Sequence, residues 1–331
     1  MSEESAVVFR QFLQEPLRHY ASPSHRILNQ IAMRIFCTIF AALLGLAFGS
    51  FLNVCLSRWP EGESIVLPRS HCRNCAHTLS WWENIPLLGW IVLRGRCRNC
   101  KSLIGVRYPL VEVAVALLWA IAAWQAGGVA YSSVQPPVGF PLIIADAIGT
   151  LVFIWMLVAL AVLDLENLWL PDFLTWTGIA LGAVSWTTHL VLRSTQVLGY
   201  FGATALRGRL FVHTAINWLL GVIIAAGIIL LIRWLYWLIR RQEGIGLGDA
   251  KLMAMLAAWL GLPGALLAFA LGAFLGLFVA LVLLAVPSAR KSNASWASTK
   301  LPFGTFLCIG GIVSSLWGSE ILAAYLRFVG L

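Results

Sequence analysis

Six residues of this 331-residue chain have types and spacings suited to chemistry. Four are cysteines, in Cys72-Arg73-Asn74-Cys75 and, 21 residues later, Cys97-Arg98-Asn99-Cys100. A Cys-x-x-Cys turn presents two thiolates, and two such turns complete the tetrahedron of a structural zinc site. A closed site of four thiolates has no open position, so a metal there organises the chain and does no chemistry. The competing readings are two disulfides or four idle thiols. The remaining two residues are Asp164 and Asp249. Asp164 ends a 17-residue uncharged run, and Asp249 stands in Glu243-Gly244-Ile245-Gly246-Leu247-Gly248-Asp249-Ala250-Lys251, directly before an apolar stretch. Two carboxyls brought together in a water-poor place cannot both ionise. One keeps its proton, and the pair serves as general base and general acid on a water molecule. Gly246 and Gly248 let backbone approach a partner helix or an extended substrate strand. Two plainer readings stand beside this one: Asp249 as a helix N-cap, and Asp164 as an interfacial residue reaching water.

The elements that position these groups are membrane helices. The chain is 60% hydrophobic and 11% charged, against about 25% charged in soluble domains. Residues 36–56, 173–192 and 301–319 carry no charge, and about 20 apolar residues suffice to cross a bilayer as a helix. The uncharged run from Leu252 to Ala289 is too long for one crossing, and Pro263-Gly264 is expected to break it. The expected spans are 36–56, 108–127, 141–163, 172–192, 211–238, 250–262, 264–286 and 302–326. The fold class is thus an all-α polytopic membrane protein of about eight transmembrane helices, with a small zinc-ribbon-like loop. Its divisions are a 1–35 extension with no signal-peptide core, a first span 36–56, a four-cysteine domain 57–107, and a membrane domain 108–331.

Loop 57–107 holds eight Lys/Arg against three acids, whereas 128–140 holds none. The positive-inside bias places the first loop in the cytoplasm, together with Arg240, Arg241, Arg290, Lys291 and Lys300. A reducing cytoplasm disfavours the disulfide reading. The +9 net charge needs no nucleic acid to explain it, since it follows the topology bias and forms no aromatic-laced basic stripe. Asp164 and Asp249 both fall at the cytoplasmic face, 85 positions apart in sequence. Glu112 lies just inside the second span beside the cysteine loop and its role is open. Asp172 opens a helix after Pro171, where its charge suits the dipole. Asp146, His189 and His213 fall toward the outer face. Cys37, Cys55 and Cys308 lie in apolar runs as small hydrophobes, and most of the 16 tryptophans read as interfacial anchors.

These segments together resemble the type IV prepilin peptidases, membrane aspartic proteases of the Gly-x-Gly-Asp class. The resemblance runs from about residue 40 to 310. It is carried by Gly49-Ser50-Phe51-Leu52-Asn53-Val54, the two cysteine pairs with Asn84-Ile85-Pro86 and Arg94-Gly95-Arg96 between them, and Arg107-Tyr108-Pro109-Leu110-Val111-Glu112. It continues through Asp164, Leu170-Pro171-Asp172, the Glu243–Lys251 segment and Pro302-Phe303-Gly304.

The resemblance implies that Asp164 and Asp249 are the catalytic aspartates, supported by Gly246, Gly248 and Glu112. It also implies that Cys72, Cys75, Cys97 and Cys100 hold a structural zinc. The implied activity is removal of a short basic leader from prepilins or pseudopilins in the bacterial inner membrane, on the cytoplasmic side. The bifunctional members then methylate the new N-terminus from S-adenosylmethionine, although no fingerprint for that donor stands in the sequence. Two rivals remain: a proton-coupled carrier relaying protons through Asp164 and Asp249, and a non-catalytic assembly scaffold that docks partners through the cysteine loop.

Overall fold

The computed structural model describes residues 23–132, 139–198, 204–242, 246–285 and 301–330. Most of the 1–35 extension, the Glu243–Ile245 part of the aspartate motif, and the basic Arg290, Lys291 and Lys300 lie outside the described residues. The long helices are α1 (Pro23–Arg58), α3 (Arg107–Ser132), α4 (Gly139–Asn167), α5 (Asp172–Leu198), α6 (Thr204–Arg240), α7 (Leu247–Ala285) and α8 (Phe303–Val329). A short α2 (Leu88–Val92) lies in the cysteine loop. Six of them are long and apolar enough to cross a membrane. The long helix outside that group is α5, whose Thr, Ser and His residues dilute its apolar character. First-span expectation and structure differ most at the front, because α1 already begins at Pro23. Arg34 is accommodated there by stacking 3.8 Å over the Trp124 ring and donating to the Trp124 carbonyl.

The expected break in the long apolar run is present. Gly261 has φ 69° and ψ 172°, a backbone conformation that is essentially glycine-only, and Pro263 follows without a donor to continue the ladder. The order of close contacts gives the direction of the two limbs. Along α8, Leu307 lies by Gly272, Gly310 by Ala268, and Ser314 by Gly264, so the second limb of α7 runs antiparallel to α8. The first limb runs the other way, with Met255 and Ala258 meeting Gly178 and Gly182 of α5 in register. α7 is therefore a helical hairpin. Counting its limbs separately, the described residues form eight long helical rods, which agrees with the expected number.

Close packing uses small residues where two helix backbones meet. A Cβ on Gly45 would fall 2.7 Å from Ala116 Cα, and one on Gly49 would fall 2.7 Å from Glu112 Cα, so α1 and α3 form a tight antiparallel pair. The core lies among α4, the first limb of α7 and α8, with Ile154, Leu157, Leu160, Leu252, Leu256 and Leu307 fully buried. Outward faces carry exposed Phe, Leu, Ile and Trp, as lipid-facing helices do.

The loop between α1 and α3 contains no extended strand among the described residues. It has two 3-10 turns, Trp59–Glu61 and Trp81–Asn84. Ser80 and Glu83 form a reciprocal capping box on the second turn. Buried Arg58 pins the loop to the end of α1, its guanidinium donating to the carbonyls of Ser64 and Pro68 at 2.8 and 2.6 Å.

Candidate functional site

The two cysteine turns are built alike. In the first, the N–H of Cys72 donates to the His77 carbonyl and that of Ala76 to Cys72; in the second, Cys97 donates to Ser102 and Lys101 to Cys97. Ala76 and Lys101, each four residues after the first cysteine of its turn, both take positive φ (54° and 58°). An isolated bridge closes each turn, His71 with Thr78 and Arg96 with Leu103. The four sulfurs converge within 4.8 Å of one another, with Cys72–Cys100 at 3.8 Å and Cys75–Cys97 at 3.9 Å. A tetrahedral zinc with bonds of about 2.3 Å requires sulfurs about 3.8 Å apart. The cluster fits a metal ion of that kind.

The surroundings of the sulfurs are also repeated. Asn74 Nδ2 donates to Cys100 Sγ at 3.8 Å, and Asn99 Nδ2 donates to Cys75 Sγ at 3.7 Å. Each turn thus supplies an amide to the sulfur of the other. Ser102 Oγ lies 3.1 Å from Cys100 Sγ, and hydrogen bonds from Ser102 pull the Cys100 thiol down to about 6. The Cys72 thiol is also lowered, first by the Asn74 backbone. Sequence reading missed Asn74, Asn99 and Ser102; the signal was the identical tetrapeptide Cys-Arg-Asn-Cys occurring twice. The two turns also carry cations, Arg73, Arg98 and Lys101 among them. Two of them are otherwise engaged: Arg73 pairs with Glu61 at 2.8 Å, and Arg98 stacks over Trp82.

Asp164, near the C-terminus of α4, and Asp249, in the first turn of α7, are brought together at one end of the bundle. Both are buried, 6% and 7% exposed, and their carboxyls lie within electrostatic reach of each other. Asp164 Oδ2 accepts the backbone N–H of Thr305 at 2.7 Å and lies 3.1 Å from its hydroxyl, which also lies 3.0 Å from the Ala161 carbonyl. Asp249 Oδ2 accepts the N–H of Gly246 at 3.2 Å. Asp249 is therefore two residues inside its helix and not the N-cap of the plainer reading; its carboxylate reaches back to the residue ahead of the helix.

Leu170 and Gly304 set how closely these groups approach. A Cβ on Gly304 would fall 2.9 Å from Asp164 Oδ2 and 3.0 Å from Leu170 Cδ1, and one on Gly248 would fall 3.0 Å from Leu170 Cβ. Lys251 Nζ donates to Asp172 Oδ1 at 2.5 Å and ties the start of α7 to that of α5. Buried Cys308 lies beneath both carboxyls. Thr305 escaped the sequence reading, which stopped one residue short at Gly304.

Glu112 is not part of this pair. Its Oε2 accepts the Leu87 N–H at 2.7 Å, and Ser50 and Asn53 also bond to it, so it joins α1, α3 and the cysteine loop. The loop and the aspartates nevertheless share one end of the molecule. Arg107, at the start of α3, pairs at 2.6 Å with Glu166, two residues beyond Asp164. At the far end His189 lies 3.5 Å from Asp146.

The fold and site define a multi-pass membrane protein with a metal-type four-cysteine loop and a buried pair of aspartates on helix ends. Residues 43–126 match the bacterial peptidase A24 N-terminal domain, and residues 151–281 match the type IV leader peptidase family. The chain is similar to the prepilin leader peptidase/N-methyltransferase of Pseudomonas putida, with 33% identity over 312 residues, 88% of this chain and 94% of that protein. It is likewise similar to the protein of that name in Pseudomonas aeruginosa, at 33% over 319 residues, covering 89% and 94%. A type 4 prepilin-like proteins leader peptide-processing enzyme of Escherichia coli is 32% identical over 297 residues, 83% of this chain and 92% of that one. No solved structure matches the chain. The chain belongs to the type IV leader peptidase family.

Proposed function

We propose that this chain is a membrane aspartic endopeptidase that removes the leader from type IV prepilins or pseudopilins. We further propose that it methylates the new N-terminus, as the names of its relatives suggest. The observation that carries the reading is the pair of buried carboxyls, Asp164 and Asp249, on the adjoining ends of two packed helices. A water between them attacks the scissile carbonyl; one aspartate takes its proton and the other protonates the leaving amine. Which aspartate begins as the acid is a property of the pair. The pilin's apolar segment stays in the bilayer while its cleavage site reaches the pair from the cytoplasm, the side the basic loop marks.

The four cysteines suit zinc by donor type and spacing. Bound there, the metal supplies cross-linking of the loop and no reactive position. The division into an extension, a first span, a four-cysteine domain and a membrane peptidase domain belongs to the same reading.

The test is cleavage of a prepilin by membranes carrying the wild-type chain, Asp164→Asn or Asp249→Asn, read by mass spectrometry of the mature N-terminus. Each variant is expected to lose cleavage by at least about 100-fold, the scale of general acid–base assistance. The mass of one added methyl group on the wild-type product establishes the second activity. Equal processing by wild type and variants overturns the assignment in favour of the carrier or scaffold.

A further inference from the structure

The short helix α2 in the cysteine loop carries its apolar side chains outward. Its inner side is fixed by two neighbours. Gly89 is buried against the Glu83 carbonyl, where a side chain has no room. The Trp90 ring packs against Gly95, and its Nε1 donates to the Ile104 carbonyl at 3.2 Å. Leu88, Ile91 and Val92 stand at i, i+3 and i+4, a spacing that shares one helix face, and they are 57%, 52% and 67% exposed. The same surface continues in both directions. Trp81 is exposed on the 3-10 turn against which Gly89 packs, and exposed Leu103 is held near the end of α2 by its bridge with Arg96. Exposed Val106 then leads into α3, where Leu110 and Leu117, seven residues apart on one face, are also exposed. That face belongs to a helix long and apolar enough to cross the membrane.

The charge beside this surface has a single sign. From Asn84 to Val106 the chain carries Arg94, Arg96, Arg98 and Lys101 and no acid. All four are exposed. Arg98 stacks over Trp82, whereas Arg94, Arg96 and Lys101 form no ion pair among the described residues. Hydrogen bonds at the cysteine sulfurs come from Asn74, Asn99 and Ser102 instead. A second copy of this chain, meeting the same face by two-fold symmetry, would set like charges against each other. Lipid phosphates would not.

We propose that this face of the cysteine loop docks on the bilayer that holds the helices. Leu88, Ile91, Val92 and Leu103 then lie at the acyl boundary, and Trp81 at headgroup level. Arg94, Arg96 and Lys101 lie among anionic headgroups. Docked in this way, the four-cysteine loop stays against the membrane surface at the aspartate end, where the Arg107–Glu166 pair also ties it. The proposal rests on the membrane fold and on the loop, and is independent of the peptidase assignment.

The experiment uses the full-length, zinc-loaded protein reconstituted in phosphatidylcholine, with or without phosphatidylglycerol. A benzophenone amino acid is placed singly at Val92, Leu103, lipid-facing Leu117 or exposed Glu63, and the photoproducts are identified by mass spectrometry. These side chains are exposed, and zinc content confirms that each loop is folded. Val92 and Leu103 are expected to capture phospholipid as Leu117 does, and Glu63 to capture far less. Phosphatidylglycerol should raise capture at Val92, and the triple variant Arg94→Gln, Arg96→Gln, Lys101→Gln should lose that increase. Capture at Val92 and Leu103 no greater than at Glu63 overturns the proposal, as do cross-links joining two copies of the chain. Added prepilin displacing lipid at Val92 would assign the face to substrate. Equal capture by wild type in the two membranes overturns the part given to the cations.

Discussion

Thr305 holds Asp164 with two groups at once, its backbone N–H 2.7 Å and its hydroxyl 3.1 Å from the same carboxylate oxygen. The N–H comes with the start of α8 and persists in any variant; the hydroxyl does not. Hydrogen bonds to charged groups are worth about 1.5–3 kcal/mol. Thr305→Val is therefore expected to lower kcat for prepilin cleavage roughly tenfold or more with KM little changed. Thr305→Ser, which keeps the hydroxyl, restores most of it. A serine variant no better than valine removes the hydroxyl from the account.

The two glycines before Asp249 are expected to behave differently. Gly248→Ala drives a methyl to within 3.0 Å of Leu170 Cβ, whereas among the described residues the same change at Gly246 meets Asp249 Oδ2 at 3.5 Å and Gly248 N at 3.8 Å, both ordinary contacts. Gly248→Ala should cost cleavage severely and Gly246→Ala mildly. Leu170→Ala should rescue Gly248→Ala only in part, since it removes Cδ1 and Cγ, at 3.1 and 3.5 Å, and keeps Cβ. Steady-state cleavage by the three variants and the double variant checks this, and equal losses at both glycines would contradict it.

Metal retention should depend on pH through the thiols. Thiolates bind metal and protons displace it. The Cys100 value, about 6, lies below that of an ordinary thiol, so its thiolate persists above that pH and is lost as pH falls through it. Zinc release to a chromogenic competitor, followed from pH 8 down to 5, should steepen as pH falls through about 6, where this thiol starts to take a proton in place of the metal. Ser102→Ala removes the hydroxyl that lowers Cys100, so release should begin at a higher pH. Asn74→Ala and Asn99→Ala should each weaken zinc binding about tenfold or more, as loss of an outer hydrogen bond typically does.

Gly261 is the backbone position that lets α7 turn back. A side chain at φ 69° and ψ 172° costs about 1–3 kcal/mol. Gly261→Ala is expected to lower the melting temperature of the detergent-solubilised protein while leaving its zinc content unchanged. An unaltered melting temperature would mean that the turn can move to another residue.

Much of this was legible because membrane helices announce themselves in one dimension. Charge-free runs gave the long helices, and Pro263-Gly264 gave the break, two residues from the glycine that makes it. The paired turns stood out because Cys-x-x-Cys is a local pattern. Thr305 did not, because its role depends on a residue 141 positions away and a lone threonine opening a helix has no signature. The outward face of α2 stayed hidden because Glu83 and Ile104, outside that short helix, decide which of its sides faces in. Arg34 looks like the border of a span, yet the helix continues through it, because Trp124 of α3 accommodates its charge.

The hydrogen bonds described at Asp164 and Asp249 all begin and end between Ala161 and Thr305. The four-cysteine loop contributes none of them and joins this region through the Arg107–Glu166 pair and apolar packing. The two units are thus separable as inherited parts. A lineage that shed or exchanged the front unit would keep every one of those bonds to the two carboxyls. One that lost the last helix would not, although the helix carrying Thr305 lies past both segments in which the family is recognised.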